Sequence, residues 1–476
     1  MEALWLTQSI PELVLVMLGG LLVLLDSCLP KWRPAFAWLS LFGVLGAVAY
    51  RWLTPPGGLI WGGMLTVDGI ARFVDSYILL AAALALLMAD PYLARTQGRF
   101  GEFYGLLLWA TVGAMVMAKA NHLLVVFVGL ELLSIALYVL NAFHRENLLS
   151  LEAGWKYLVV GAFSSTIFVF GAALLYGGTG TLLLPQLAQL TVTSKVLTVG
   201  GLALVLAALA FKLALFPFHV WAPDVYQGSP TPVTAFLSVV PKGAALIVLV
   251  RTVAFAGPQE LSRHWGDALA FLAVASMVVG NLAAIAQRDM KRMLAYSGIA
   301  HMGYALVGLV AFGFDGVSAI LVYLAAYTFM NIAAFGAVSA FSEGEEEPHL
   351  VNDLAGQGWE RPAVSFALAV AMFALAGIPP SVGFLGKFLA FRAAVNAKMV
   401  WLAVIGVLAS LVSVFYYVRV VYYLYMKPLP KRKPSFSEPW AVKLLGAVCV
   451  IAIVALGVFP RTLLALAQEA AELIVR

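Results

Sequence analysis

Runs of about twenty apolar residues recur along almost the whole of this chain, and no other feature restricts its fold so sharply. A helix needs roughly 20 apolar residues to cross the hydrocarbon core of a bilayer. Fourteen such runs can be counted, at about 10–28, 35–53, 69–89, 103–119, 122–143, 152–177, 195–217, 230–255, 268–286, 293–313, 316–341, 362–395, 399–426 and 440–459. They lack the period-two alternation of barrel strands. The chain is 63% hydrophobic and 11% charged, whereas soluble domains carry about 25% charged residues. No soluble fold of 476 residues hides that much apolar surface. The predicted class is an all-α polytopic membrane protein.

Composition also excludes chemistry. Two cysteines, Cys28 and Cys449, lie near opposite ends. They are too few for an iron–sulfur cluster or a Cys-based zinc site within the chain. The six histidines are scattered, and no Gly-rich nucleotide loop follows an evident strand. Any redox cofactor therefore belongs to another subunit, and neither a cofactor-binding nor a metal-ligating set is expected here. The N-terminus carries Glu2 and Glu12 and no basic segment, so the first run reads as a retained span. Lys and Arg in the loops after odd-numbered spans outnumber those on the other side by about thirteen to eight, the eight including Arg51, Lys119 and Arg251. That asymmetry places both termini outside. The basic balance thus speaks to membrane orientation and not to nucleic acid. The basic cluster Lys427–Lys433 extends the same signal to anionic lipid. Glu343, Glu345, Glu346 and Glu347 read as a solvated loop, and Arg461–Arg476 as an interfacial amphipathic helix.

One run is interrupted in a telling way. Leu202–Leu237 is apolar up to Lys212, then meets Pro217, His219, Pro223, Asp224, Gly228, Pro230 and Pro232. A broken helix is tolerated in lipid only inside protein or along a wet cavity. A lysine at membrane depth costs about 2.5–3.5 kcal/mol on insertion scales. The twelfth run breaks similarly at Gly377, Pro379 and Pro380, with Lys387 close behind. The two breaks are five spans apart, and two copies of an odd number of helices sit upside down relative to each other. This predicts inverted five-helix repeats, spans 4–8 and 9–13, an arrangement typical of transporters. The corresponding segments are 1–102 (three N-terminal helices), 103–255 (first repeat), 256–426 (second repeat) and 427–476 (last helix and tail).

Ionisable residues within spans are functional candidates by default. Glu131 lies in span five, Lys212 before the break in span seven, Lys242 in the middle of span eight and Lys387 after the break in span twelve. A Glu–Lys pair is a natural proton switch. At an effective dielectric of about 20, its attraction falls from about 4 kcal/mol at ~4 Å to about 1.7 kcal/mol at ~10 Å. Glu131 and Lys212 are the expected switch pair. Lys156, His219 and His301 are further candidates. Against them stand bland readings: Lys156 snorkels to the interface, and His301 is a hydrogen-bonded core histidine. Asp224 reads as a turn or cap residue and Asp68 as an interfacial cap.

The run KLALFPFHVWAPDVYQGSPTPVTAFLS (Lys212–Ser238) resembles the signature of the antiporter-like subunits in the membrane arm of respiratory complex I, the proton-pumping NADH:quinone oxidoreductase. The resemblance extends to Gly129–Glu131, KRMLAYSGIAHMGY (Lys291–Tyr304) and GIPPSVGFLGKF (Gly377–Phe388). The length and Lys387 look like the smallest of the family's three paralogues. Pro241, immediately before Lys242, departs from the family pattern and is expected to bend span eight. The resemblance implies that Glu131 and Lys212 form the family's ion pair, that Lys242 is the central connecting lysine and that Lys387 is the exit-side lysine. Lys156, His219 and His301 match positions on its hydrophilic axis. It implies a subunit of the bacterial inner membrane that moves protons from cytoplasm to outside. FMN, iron–sulfur clusters and quinone would lie in partner subunits. The partners would be neighbouring antiporter-like and small transmembrane subunits, with lipids around them. Three rivals remain: a subunit of a sodium/proton antiporter, a ferredoxin- or hydrogenase-linked relative, and a passive scaffold with vestigial charges.

Overall fold

The computed structural model describes residues 2–96, 98–187, 194–255, 259–341, 350–429 and 439–475. The acidic run Glu343–Glu347, the basic residues Lys431, Arg432 and Lys433, and Arg476 lie outside the described residues. In lipid each backbone N–H and C=O must be satisfied within its own segment, and the apolar runs accordingly become helices. In chain order these are α1 (Glu2–Cys28), α2 (Arg33–Leu53), α3 (Gly69–Arg95), α4 (Gly101–Lys119), α5 (Leu123–Asn141), α6 (Leu148–Thr179), the single turn α7 (Leu184–Leu187), α8 (Lys195–Lys212), α9 (Trp221–Gly228), α10 (Thr231–Ala254), α11 (Gln259–Ala286), α12 (Met290–Val310), α13 (Phe314–Ala340), the single turn α14 (Gln357–Glu360), α15 (Pro362–Ala376), α16 (Val382–Asn396), α17 (Val400–Met426), α18 (Trp440–Val458) and α19 (Arg461–Val475).

Thirteen of these are long and apolar enough to span a membrane. The fourteenth span is α15 and α16 together, each too short alone because the break at Gly377–Ser381 divides them. Polar side chains close several helix starts: Asp68 accepts from Ala71 N at 2.7 Å, Asn147 from Leu149 N at 2.9 Å and Asp289 from Arg292 N at 2.8 Å. Each satisfies a donor that has no partner within its helix. A small hairpin absent from the expected pattern, β1 (Gly58–Ile60) against antiparallel β2 (Leu65–Val67), joins α2 to α3. Three residues are too short a run to stand out by alternation.

Burial is graded across the bundle. α10 is buried along its spanning window, and α12 and α13 nearly so, whereas two thirds of the windows of α1, α17 and α18 face outward. Lys242 therefore sits on the innermost helix. Pro241 is accommodated inside α10, which runs unbroken from Thr231 to Ala254. Close helix pairs depend on glycine. A Cβ at Gly280 of α11 would stand 2.7 Å from Ala300 N of α12, and one at Gly113 of α4 would collide with the Leu133 backbone of α5. α19 lays Leu463, Ala467, Ala470 and Ala471 inward, packing on α13 and α3.

The first four helices are joined by charge. Arg51 of α2 reaches Glu12 of α1 at 3.0 Å and Asp75 of α3 at 3.0 Å. Lys119 of α4 contacts Glu12 and lies 3.2 Å from Asp75. Nearby, Arg251 of α10 grips Asp68 with two hydrogen bonds of 2.9 Å. Arg51, Lys119 and Arg251 are thus buried ion-pair partners and not loop cations, because each finds a carboxylate at its own helix end. Asp68 is the expected cap, with this second role added.

Candidate functional site

Lys212 is the last residue of α8 and is buried. The helix stops there because Ala214 takes a left-handed conformation (φ 55°), with Leu215 N donating to Ala210 O at 2.9 Å and Ala214 N to Phe211 O at 3.0 Å. Phe211 O also accepts the Trp221 indole N–H at 3.1 Å, so the break is closed from within the protein. The Lys212 ammonium donates to Ser134 Oγ at 2.7 Å and lies 5.2 Å from the centre of the Tyr157 ring.

The expected direct pair with Glu131 is replaced by this serine contact. Ser134 follows Glu131 by three residues, one turn along the same side of α5. Glu131 is half-buried, its Oε1 buried without a hydrogen-bond partner. It borders a groove of about 560 Å³ on the outer wall, lined among others by Ile135, Tyr138, Arg145, Leu151 and Trp155. The carboxylate is therefore one helical turn away from the lysine's partner and open toward the flank of the subunit.

Lys156 and His219 stand at the mouth of the break. Lys156 lies 2.7 Å from both Asp224 and Glu152, and Arg292 lies 2.6 Å from the same Asp224. This is a four-member surface cluster in which the Lys156 side chain is 39% exposed. Asp224 is thus an ion-pair hub, not simply a turn residue. His219 is half-buried, stacked on Phe216 with ring centres 5.6 Å apart, and its Nδ1 has no hydrogen-bond partner.

Lys242 is 1% exposed and its ammonium makes no hydrogen bond among the described residues. It lies 5.5 Å from the Tyr226 ring centre and 5.9 Å from that of Tyr327, attractive positions for a cation. The Tyr226 and Tyr327 hydroxyls and both polar atoms of the Asn331 side chain are likewise buried without protein partners. Gly298 of α12 leaves the room, since a Cβ there would stand 2.6 Å from Lys242 Nζ.

The polar line continues from Tyr327. Its ring centre is 5.3 Å from that of His301. His301 Nδ1 shares a hydrogen bond of 2.7 Å with the Tyr323 hydroxyl, and Nε2 one of 3.0 Å with that of Tyr417. Tyr416, packed on Tyr417 with ring centres 4.3 Å apart, donates to Asn281 Oδ1 at 2.9 Å, and Asn281 Nδ2 donates to the Tyr304 hydroxyl at 2.9 Å. The Lys387 ammonium lies 4.9 Å from the Tyr304 ring centre. It donates to Leu375 O (2.9 Å), Ala376 O (3.0 Å) and Ser410 Oγ (2.9 Å). Lys387 therefore satisfies carbonyls freed at the C-terminus of α15, where the helix dipole favours a cation.

The structure thus brings Lys242, His301 and Lys387 into one buried polar line and joins Lys212 to Ser134. It leaves Lys156 in a surface cluster. Sequence reading missed Ser134, Asn281, Tyr304, Tyr323, Tyr327, Ser410 and Tyr417, whose only signal is a polar group inside an apolar run.

Comparison with known proteins follows the same lines. The family described as NADH:quinone oxidoreductase/Mrp antiporter, TM, matches residues 120–413. An NADH-quinone oxidoreductase subunit N of Trichlorobacter lovleyi is 43% identical over 98% of this chain and 97% of its own length. A chain of respiratory complex I from Thermus thermophilus is 35% identical and superimposes with a TM-score of 0.82 over 96% of this chain and 99% of that one. A chain of the Mrp complex from Dietzia sp. DQ12-45-1b shares the fold, with a TM-score of 0.86 at 22% identity over 100% of this chain and 98% of that one.

Proposed function

The chain belongs to the antiporter-like membrane subunits of the NADH:quinone oxidoreductase/Mrp family, on the subunit N branch, and from that premise we propose that it carries protons across the bacterial inner membrane as a cofactor-free subunit of NADH:quinone oxidoreductase. The buried line Lys242–His301–Lys387, with its tyrosines and amides, is the observation that supports this reading. Quinone reduction elsewhere in the complex supplies the free energy. FMN, iron–sulfur clusters and quinone belong to partner subunits. The full-length similarity to subunit N favours this reading over a sodium/proton antiporter, and the Mrp complex chain shares the fold at lower identity.

The residues take the following roles. Glu131, at the flank, sets the field at Lys212 through the turn that holds Ser134. Lys212 passes its proton inward, Lys242 relays it over the polar cluster at Tyr327, and His301 with its two tyrosines connects to Lys387, which releases it. Lys156 and His219 feed the break from the surface cluster at Asp224. The two repeats are 103–255 and 256–426. The glycine-packed pairs α4–α5 and α11–α12, and the broken helices α8–α9 and α15–α16, support that division. The Lys/Arg asymmetry favours both termini outside, and the resemblance to the proton-pumping NADH:quinone oxidoreductase implies transport from cytoplasm to outside. The test is paired, in sealed vesicles holding the whole complex. NADH:quinone electron transfer and proton uptake are recorded for wild type and Lys212→Ala after assembly is verified. A joint fall with assembly intact is expected. Wild-type values for both would replace this reading with a scaffold.

A further inference from the structure

The four charges that join α1 to α4 have a geometry that structural stapling does not explain. Glu12 Oε1 and Asp75 Oδ2 each face both Arg51 and Lys119. Glu12 Oε2 and Asp75 Oδ1 are buried with no hydrogen-bond partner among the described residues. Asp75 is 0% exposed, Arg51 1%, Lys119 3% and Glu12 8%. Each carboxylate thus offers a free oxygen that can take a proton without giving up either cation. With two cations and two carboxylates the cluster is neutral, and one added proton brings it to a single positive charge. A staple alone would gain from filling those lone pairs, because unsatisfied buried polar atoms are costly.

Its place is equally specific. The cluster adjoins α10, the helix of Lys242. The Tyr77 hydroxyl of α3 donates to Val239 O at 2.5 Å, three residues before Lys242. At the end of α10, Arg251 donates to Ala118 O at 2.9 Å, next to Lys119, and binds Asp68 of α3. Lys242 precedes Arg251 by nine residues, about 13 Å of helix. Asp75 accordingly faces Arg51 from α2, Glu12 from α1 and Lys119 from α4, with Asp68 of its own helix and Arg251 of α10 in its field. Glu12 is the carboxylate closest to the surface, its side chain 11% exposed, and Gln8 beside it also binds Arg51. All four residues precede the matched region 120–413.

We propose that Glu12, Arg51, Asp75 and Lys119 form a second proton-holding site, contributed by the N-terminal helices, which takes a proton on the Lys242 side and delivers it to the membrane face through Glu12. It rests on the transport reading above, and with both termini outside that face is the outer one. The step is a proton transfer only. Asp75 Oδ1 goes from carboxylate to acid, the proton then passes to Glu12 Oε2, and loss to water restores the neutral cluster.

The experiment uses the whole complex in sealed vesicles, with Asp75→Asn, Glu12→Gln and Lys212→Ala prepared side by side. Assembly is read on native gels, proton translocation by uptake, and protonation by infrared difference spectra in the carboxylic-acid stretching region as pH is varied. The expected result for Asp75→Asn and Glu12→Gln is loss of a carboxylic-acid band together with a loss of proton translocation in assembled complex. Wild-type retention of either readout overturns the site. Should both variants fail to assemble, Lys119→Arg decides. It keeps the cluster's charge and both carboxylates, so translocation should persist with the carboxylic-acid band displaced from its wild-type position, and a band left at the wild-type position would show that no carboxyl beside Lys119 takes the proton and would overturn the site. Lys212→Ala separates the two readings. If it abolishes translocation while Asp75→Asn does not, only the second site falls. If it too is silent, the transport reading itself fails.

Discussion

A methyl group at position 298 would stand 2.6 Å from Lys242 Nζ and 2.7 Å from the Tyr327 hydroxyl. Lys242 Nζ ends a flexible side chain, so the helix can remain in place while the ammonium is displaced. Gly113→Ala would instead drive a Cβ into the backbone of α5, which cannot yield. The two alanines therefore separate chemistry from packing. Gly298→Ala is expected to assemble and to lose proton transfer roughly tenfold or more, the scale of an ångström misplacement of a reacting group. Gly113→Ala is expected to leave no assembled complex. Native gels and proton uptake in vesicles read the difference. Wild-type uptake with Gly298→Ala would show that Lys242 does not use that space.

The break in the twelfth span shows how one element combines structural and chemical demands. Gly377 ends α15 at φ 85°, and a Cβ there would lie 3.0 Å from Lys387 Cδ. A non-glycine residue in this conformation costs about 1–2 kcal/mol. Gly377→Ala should thus lower the temperature at which the purified membrane arm loses this subunit, while leaving the three donors of Lys387 in reach of their acceptors. Lys387→Met removes those donors and leaves buried carbonyls unpaired, at about 1–3 kcal/mol each, so it should destabilise further and stop proton transfer. Equal thermal loss for Gly377→Ala and wild type would contradict the strain. Much of this element is legible in sequence, since Gly377, Pro379, Pro380 and Lys387 are neighbours along the chain. The Glu12–Arg51–Asp75–Lys119 cluster is not, because its members come from four helices and each alone resembles a span-end charge. The tyrosines around His301 are hidden for a related reason. A Tyr in an apolar run reads as filler until its hydroxyl is seen to meet a histidine from another helix.

At the scale of the whole molecule, every vectorial statement depends on which side α1 begins. Fourteen spans put both termini on one face, and the ends of α2, α4 and α10 come to that face together. Finding Arg51, Lys119 and Arg251 buried in ion pairs means that they are not free loop charges, which removes them from the weaker side of the Lys/Arg count. On the stronger side Lys291 is equally buried and Arg33, Arg99, Arg145 and Arg292 are likewise ion-paired, so the asymmetry that would set orientation stays about where the sequence puts it. The chain carries its own reporter. Cys28 is exposed at the end of α1, and Cys449, the other cysteine, is buried within α18. With the N-terminus outside, Cys28 faces the cytoplasm. A membrane-impermeant maleimide should then label the peptide containing Cys28 in inverted vesicles and leave it unlabelled in right-side-out spheroplasts, with Cys449 unlabelled in both. Labelling only in spheroplasts would invert the subunit, and Lys387 and the Glu12 cluster would exchange roles from outlet to inlet.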